Sequence, residues 1–222
     1  KGGANSLLND YVRTLYEDKQ GRLFIGSLNG LQIYDRATAS FITIPMYLSS
    51  GASIDPNIAT ILERNNGEIL IGTSGHSMFL LETRGDSIKA RQISRFISSN
   101  LITYAYEDRK GNLWIATGDN GIFRFDKNNQ SKHYSGEKDI AKNTVSSMCE
   151  DKQGNLYMSS LKKGLFIYDD KKDVFIPFTD TPNPDLPIKI LYPGDQNEIF
   201  GIITLYAPDT FGNVAAFVMD RI

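Results

Sequence analysis

Three pairs of adjacent carboxylates, Glu17-Asp18, Glu107-Asp108 and Glu150-Asp151, are the first residues in this chain whose types suggest chemistry. Such pairs serve acid–base catalysis when their surroundings split the two pKa values, and they bind calcium when further oxygens converge. Each pair, however, opens the same D-x-x-G cassette, with Gly21, Gly111 and Gly154 three residues beyond the aspartate. Aspartate in that place bonds to backbone two residues on, and glycine supplies a positive φ. The pairs therefore read as turn caps, one per repeat, and not as one converged site. His76 and His133 are the only histidines and Cys149 the only cysteine. That excludes an internal disulfide framework and a Cys/His zinc cluster. No nucleophile–base pair is clustered along the chain, which speaks against catalysis.

The elements that position these residues repeat. Residues 12–35 (VRTLYEDKQGRLFIGSLNGLQIYD), 102–126 (ITYAYEDRKGNLWIATGDNGIFRFD) and 145–169 (VSSMCEDKQGNLYMSSLKKGLFIYD) align throughout. A worn copy occupies 58–82, and a weaker one begins at Ile188. Gly21, Gly67, Gly111 and Gly154 are 46, 44 and 43 residues apart, and Asn197 follows after another 43. Five units of about 44 residues fill the chain, a period within the range of four-stranded blades. Expected bounds are 1–48, 49–93, 94–136, 137–180 and 181–222, the last incomplete.

Each unit spells strands: runs of Tyr, Phe, Ile, Leu and Thr bounded by Gly, Asn and Asp. The runs Val12–Tyr16, Leu23–Ile25, Leu31–Tyr34 and Phe41–Ile44 predict a four-stranded meander, and later units repeat it. Several runs are apolar at consecutive positions, as in Leu23-Phe24-Ile25, which requires burial on both faces. Four-stranded antiparallel blades stacked face to face meet that demand, so the expected fold is an all-β β-propeller. Helical repeats of similar length are excluded by the recurring Gly and Asn. The last unit stops short of a fourth strand, and residues 1–9 are poor material to supply one. An incomplete ring is expected, its exposed blade face left open or covered by another copy.

The 222 residues are 41% hydrophobic and 23% charged, with 24 Lys and Arg against 26 Asp and Glu. Disorder is excluded, and the balance offers no basic surface for nucleic acid. No apolar run approaches the ~18 residues of a membrane span. The chain begins at Lys1 without a signal segment, so it is expected to be a piece of something longer.

The blade motif E-D-x-x-G-x-L-[WFY]-[IM], followed by a glycine-led third strand, resembles the two-component regulator propeller repeat. Residues 102–126 carry it almost whole, 12–35 and 145–169 carry it well, and 58–82 and 188–204 weakly. The resemblance implies a periplasmic sensor region of a hybrid histidine-kinase receptor, of the kind found in gut bacteria that forage on polysaccharides. It implies further an inner-membrane parent, no cofactor, an oligosaccharide ligand and signalling through rearrangement of a homodimer.

In propellers the loops after each second strand share a face with the segments leading into each first strand. That face is expected to gather Asn29, Tyr47 on the long connector 46–57, His76, Asp119, Asn120, Lys162 and Lys163. Their amides, carboxylate, ring nitrogens and ammonium groups suit sugar hydroxyls and uronate or sulfate groups, and any solvated loop contains the same types. Tyr11, Tyr16, Tyr104 and Tyr106 lie on or beside first strands, where packing between blades is the simpler role. Two other readings stand beside the sensor: a non-catalytic protein-interaction scaffold, and a propeller lyase.

Overall fold

A computed structural model describes residues 5–85, 87–97, 99–135, 144–161, 163–179, 188–194, 198–205 and 213–219. Every regular element among them is a strand. The chain forms two compact units, residues 1–107 and 108–222.

In the first unit, β1 (Val12–Glu17), β2 (Leu23–Ser27), β3 (Gly30–Asp35) and β4 (Ser40–Ile44) make one antiparallel meander. The connector that follows, expected as loop throughout, contains β5 (Met46–Tyr47) and β6 (Ser53–Ile54). These join β7 (Ile58–Glu63), β8 (Ile69–Thr73), β9 (Met78–Arg84) and β10 (Ser87–Ile93) in a six-stranded sheet of order β6-β5-β10-β9-β8-β7. The added hairpin pairs in parallel with β10, Met46 beside Ala90 and Tyr47 beside Arg91. It thereby covers the edge of the fourth strand that a bare meander would leave open. Met46 and Tyr47 thus belong to the second sheet, although they fall before residue 49. The third repeat supplies β11 (Ile102–Glu107) to this unit.

The second unit contains β12 (Leu113–Thr117), β13 (Ile122–Phe125) and β14 (Ser131–Tyr134), then the meander β15 (Val145–Glu150), β16 (Leu156–Ser160), β17 (Gly164–Asp169) and β18 (Val174–Pro177). A three-stranded sheet of β19 (Ile188–Pro193), β20 (Ile199–Leu205) and β21 (Asn213–Met219) ends it. β21 is the third strand of this last unit, and no fourth strand follows among the described residues.

The consecutive apolar runs have the predicted cause. Every residue of β8, β12 and β16 is buried, as strands dry on both faces require; β11 packs on β8 within the first unit and β19 on β16 within the second. Phe24, Leu31, Ile33, Ile58, Ile61 and Phe79 share one core across the first two sheets, with Tyr16 packed against it. Successive blades meet closely where β7 crosses β2 and β11 crosses β8. A Cβ on Gly26 would stand 2.6 Å from both Ile58 Cγ2 and Thr14 Cγ2; on Gly72, 2.6 Å from Ile102 Cγ2 and Thr60 Cγ2. The corresponding residues Ala116 and Ser159 are also small.

One device recurs that the alignment does not announce. In β1, β7, β15 and β19 the pairing register shifts directly after the first residue, leaving Arg13, Ala59, Ser146 and Lys189 out of the ladder. Such a bulge bends the strand and increases its local twist. In the second unit it frees the Ser146 hydroxyl to donate to the Ile188 carbonyl of the next blade at 2.6 Å.

Candidate functional site

The turns from second to third strand are built on one buried hydroxyl per repeat, closing β2, β8, β12 and β16. Ser27, Thr73, Thr117 and Ser160 accept the turn amides of Asn29, His76, Asn120 and Lys163 at 3.2, 3.1, 2.9 and 3.3 Å. In the first three the hydroxyl donates onward to the carbonyl of Gly30, Ser77 or Gly121. This internal clamp leaves the side chains of Asn29, Asp119, Asn120 and Lys163 exposed at the turn tips. Lys162 lies outside the described residues.

Within the first unit these turns are tied to the segments leading into neighbouring first strands. Leu28 N–H donates to Tyr11 O and Gly30 N–H to Pro56 O at 2.9 Å; Ser74 N–H donates to Asn57 O at 2.9 Å and Gly75 N–H to Asn100 O at 2.7 Å. In the second unit Leu161 N–H reaches Thr144 O at 3.1 Å. Turns and lead-in segments therefore occupy one face in each unit.

His76 is the most constrained residue there. Its carbonyl accepts from Gln92 Nε2 at 2.9 Å, and Gln92 Oε1 accepts the Ser49 amide at 3.1 Å. Gln92, which nothing in the repeat pattern singles out, thus joins the hairpin bearing Tyr47 to the His76 turn. The half-buried His76 ring keeps Nδ1 out of solvent with no partner among the described residues. Asn29 Oδ1 accepts from Asn9 Nδ2 at 2.6 Å. In the second unit, His133 Nε2 lies 2.6 Å from the Asn120 carbonyl, with its ring stacked on Phe123 at 4.1 Å. In each unit this face offers groups for hydrogen bonding, amides in the first and amide, carboxylate and ammonium groups in the second, and among the described residues no acid–base pair converges there.

The carboxylate pairs lie on the D-x-x-G turns, and their two members do different things. The aspartate serves its own turn. Asp18 Oδ1 accepts the amides of Gln20 and Arg22 at 3.0 and 2.8 Å; Asp108 Oδ1 accepts those of Lys110 and Asn112 at 3.0 and 2.8 Å; Asp151 does the same for Gln153 and Asn155. Asp108 Oδ2 also accepts from the indole of Trp114 at 2.8 Å. The glutamates of the second and third pairs, and Glu63 at the same place in its repeat, serve the blade before. Glu63 accepts the Lys19 amide at 2.8 Å, Glu107 the Asn65 amide, and Glu150 the Arg109 amide at 2.9 Å. Glu107 also pairs with the Arg64 guanidinium at 3.0 Å. A cleft of about 230 Å³ in the second unit is bordered by Asp108, Lys110, Glu150, Asn155 and Tyr168. Its carboxylates are committed to turn amides, and Lys110 pairs with Asp170. Among the described residues no three His, Cys, Asp or Glu side chains stand together to hold a metal ion. No helix there is long and apolar enough to cross a membrane.

The other titratable cluster is scaffold. Trp114 contacts the rings of Tyr134, Tyr168 and Phe175, with the Arg124 guanidinium 5.6 Å from the indole centre. Asp173 accepts from both tyrosine hydroxyls, from Arg124 at 3.0 Å and from Lys132. Burial works to raise the Asp173 carboxyl, but the bonds from Lys132, Tyr134 and Tyr168 and the Arg124 charge outweigh it and hold it at about 2. Burial, with the bond to Asp173, pushes Tyr168 up to about 12 and Tyr134 further still. Cys149 packs in the core beside Tyr157, Leu165 and Leu191, and burial, then the charges of Asp151 and Glu150, pushes its thiol up to about 12.

Comparison with known proteins agrees with this anatomy. Residues 6–29, 97–119 and 139–162 match the family described as two component regulator propeller. No curated protein matches the chain. The extracellular domain of the hybrid two component system BT4673 from B. thetaiotaomicron superposes with a TM-score of 0.74 at 18% identity, over 99% of this chain and 30% of that one. The extracellular domain of BT3049 from the same organism gives 0.70 at 20% identity, over 99% and 30%. PorZ, a surface component of the type-IX secretion system of Porphyromonas gingivalis, gives 0.60 at 15%, over 90% and 32%. The chain spans about three tenths of the length of these structures, and at such identities the likeness is one of fold. Three cassettes of this chain thus match the two component regulator propeller family, and the chain folds as blades of a β-propeller.

Proposed function

We propose that this chain is part of the extracytoplasmic sensing region of a hybrid two-component receptor, and that it detects an oligosaccharide derived from a polysaccharide. The observation that carries the reading is the division of labour within each repeat. The cassette shared with the regulator family is consumed by turn and blade contacts, while the side chains that differ between repeats stand exposed at the turn tips. Asn29 with His76 and Tyr47 in the first unit, and Asp119, Asn120 and Lys163 in the second, are the groups that would meet sugar hydroxyls and acidic substituents. The chain itself performs no catalysis; a kinase in the longer receptor supplies the output, and ligand binding biases a homodimer between two arrangements across the inner membrane. The receptor region resides in the periplasm.

Glycan-array screening of the whole receptor region, followed by calorimetry, tests this. An oligosaccharide should bind, and alanine at Asn29 and Asn120 together should weaken it by about tenfold or more, the effect of losing one or two hydrogen bonds to a ligand. Binding of a protein partner at the same face, with no glycan bound, would favour the interaction scaffold. Turnover of an acidic polysaccharide would favour the lyase.

A further inference from the structure

Two turn tips, one in each unit, are held twice: by the buried hydroxyl beneath them and by a side chain from the fourth strand. The His76 carbonyl accepts from Gln92 Nε2 at 2.9 Å, and the Asn120 carbonyl lies 2.6 Å from His133 Nε2. A carbonyl oxygen only accepts, so the His133 ring carries its hydrogen on Nε2. Both donors stand at the same register. Gln92 pairs with Phe79 and His133 with Phe123, each opposite the third residue after the tip. Glutamine and histidine share an N–H at the end of a side chain long enough to reach the turn. The other two meanders lack such a donor there: Thr43 faces Gln32 in β4, and Pro177 faces Phe166 in β18. The Thr43 hydroxyl stands one bond from Cβ, short of that reach, and proline has no N–H to give.

Stability does not explain the contact in the second unit. Asn120 and His133 are both exposed, so water would satisfy either group and the net worth of the bond is small. What the bond supplies is fixed geometry, and the ring is itself aimed by lying flat on Phe123, 4° from parallel. In the first unit the same hold extends to the β5–β6 hairpin, because Gln92 Oε1 accepts the Ser49 amide at 3.1 Å. We infer that Gln92 and His133 are positioning residues of the ligand face. They fix the His76 turn and the Asn120 turn before ligand arrives, and make these the principal contact in each unit, ahead of the tips of Asn29 and Lys163. A group already fixed gives up less freedom on binding, so it contributes more affinity than the same group on an unheld tip. Asn29 is further disadvantaged, its Oδ1 being taken by Asn9. The positioning role rests on the sensing reading; the hold on the turns does not.

Amide hydrogen exchange in the 222-residue chain separates the donor from the ring. His133→Phe keeps a flat ring on Phe123 and removes the N–H, whereas His133→Gln restores a donor of the kind Gln92 supplies. The Thr117 and Asn120 amides, whose own bonds close this turn, should exchange about fivefold faster in the Phe variant, the effect of one hydrogen bond. In the Gln variant they should exchange at the wild-type rate, and neither change should move the urea midpoint. Gln92→Glu, which keeps the acceptor for Ser49 and loses the donor, should speed exchange of Thr73 and His76 in the same way. Rates unaltered by His133→Phe, or raised equally by both His133 substitutions, would overturn the inference. In the whole receptor region, the oligosaccharide returned by array screening should bind His133→Phe about threefold to fivefold more weakly and His133→Gln as tightly as the wild type. A bound oligosaccharide indifferent to His133→Phe would also overturn it. If no oligosaccharide binds the wild type, the sensing reading fails instead, and the exchange rates still decide whether the turns are held.

Discussion

Asp108 and Glu107 are neighbours in the chain with opposite allegiances, and the contrast explains what the residues disclose about themselves. The aspartate bonds to amides two and four residues on, so its role is written in a D-x-x-G cassette and is legible from local spacing. The glutamate bonds to an amide 42 residues back, and no local pattern encodes that. The signal was present only as invariance: a Glu before each capping Asp, one period from the turn it serves. Asp173 is a third kind, drawn into use by Arg124, Lys132, Tyr134 and Tyr168 from two repeats. Its folded pKa of about 2 lies below the ordinary ~4 of an unfolded aspartate. Its contribution to stability is therefore complete above about pH 4 and is lost as the pH falls through 2. Urea titrations of the wild type and Asp173→Asn should differ by about 1 kcal/mol at pH 6, a partly exposed ion pair being screened, and the gap should narrow between pH 4 and 2. A gap that stays constant over that range would contradict the assignment.

At the scale of elements, strand identity was readable wherever both faces are dry, because consecutive apolar residues such as Leu23-Phe24-Ile25 bounded by turn residues leave few alternatives. The β5–β6 hairpin escaped notice for the opposite reason. Two-residue strands in a connector rich in Ser, Gly and Pro carry no periodicity, and their pairing is dictated by the open edge of β10 rather than by their own composition. Gly72 tests how closely blades must meet. It sits in the middle of a strand, where glycine is normally a weakness, and the space its missing Cβ would occupy is filled by Ile102 and Thr60. Gly72→Val should cost about 2–3 kcal/mol through overpacking, read as a lower urea midpoint with the slope retained. Ala116→Gly, where the repeat already tolerates a methyl group, should cost about 1 kcal/mol or less.

For the whole molecule, the period and the double burial together were enough to reach a propeller from sequence. The ligand face was legible only in outline, since turn tips are recognisable by position while Gln92 and the hairpin that engage His76 come from segments outside the repeat. The near balance of 24 basic and 26 acidic residues makes its own prediction. Duplex DNA should show no mobility shift with the protein at 150 mM salt, where binding depends on several phosphate-neutralising cations on one surface. A salt-sensitive shift at micromolar protein would contradict that.

The backward reach of each glutamate has a consequence for how such chains change in length over generations. Donor and acceptor stand one period apart, so the contact belongs to no single copy of the unit and is not broken by where a copy begins. Unequal crossing-over that gains or loses whole periods keeps Glu63, Glu107 and Glu150 one period from a turn amide, wherever the exchange falls. Loss of a fractional period strands one acid and one amide at the scar. Copy number is therefore free to drift while phase is held, and the worn and intact cassettes of this chain keep that phase to within a few residues.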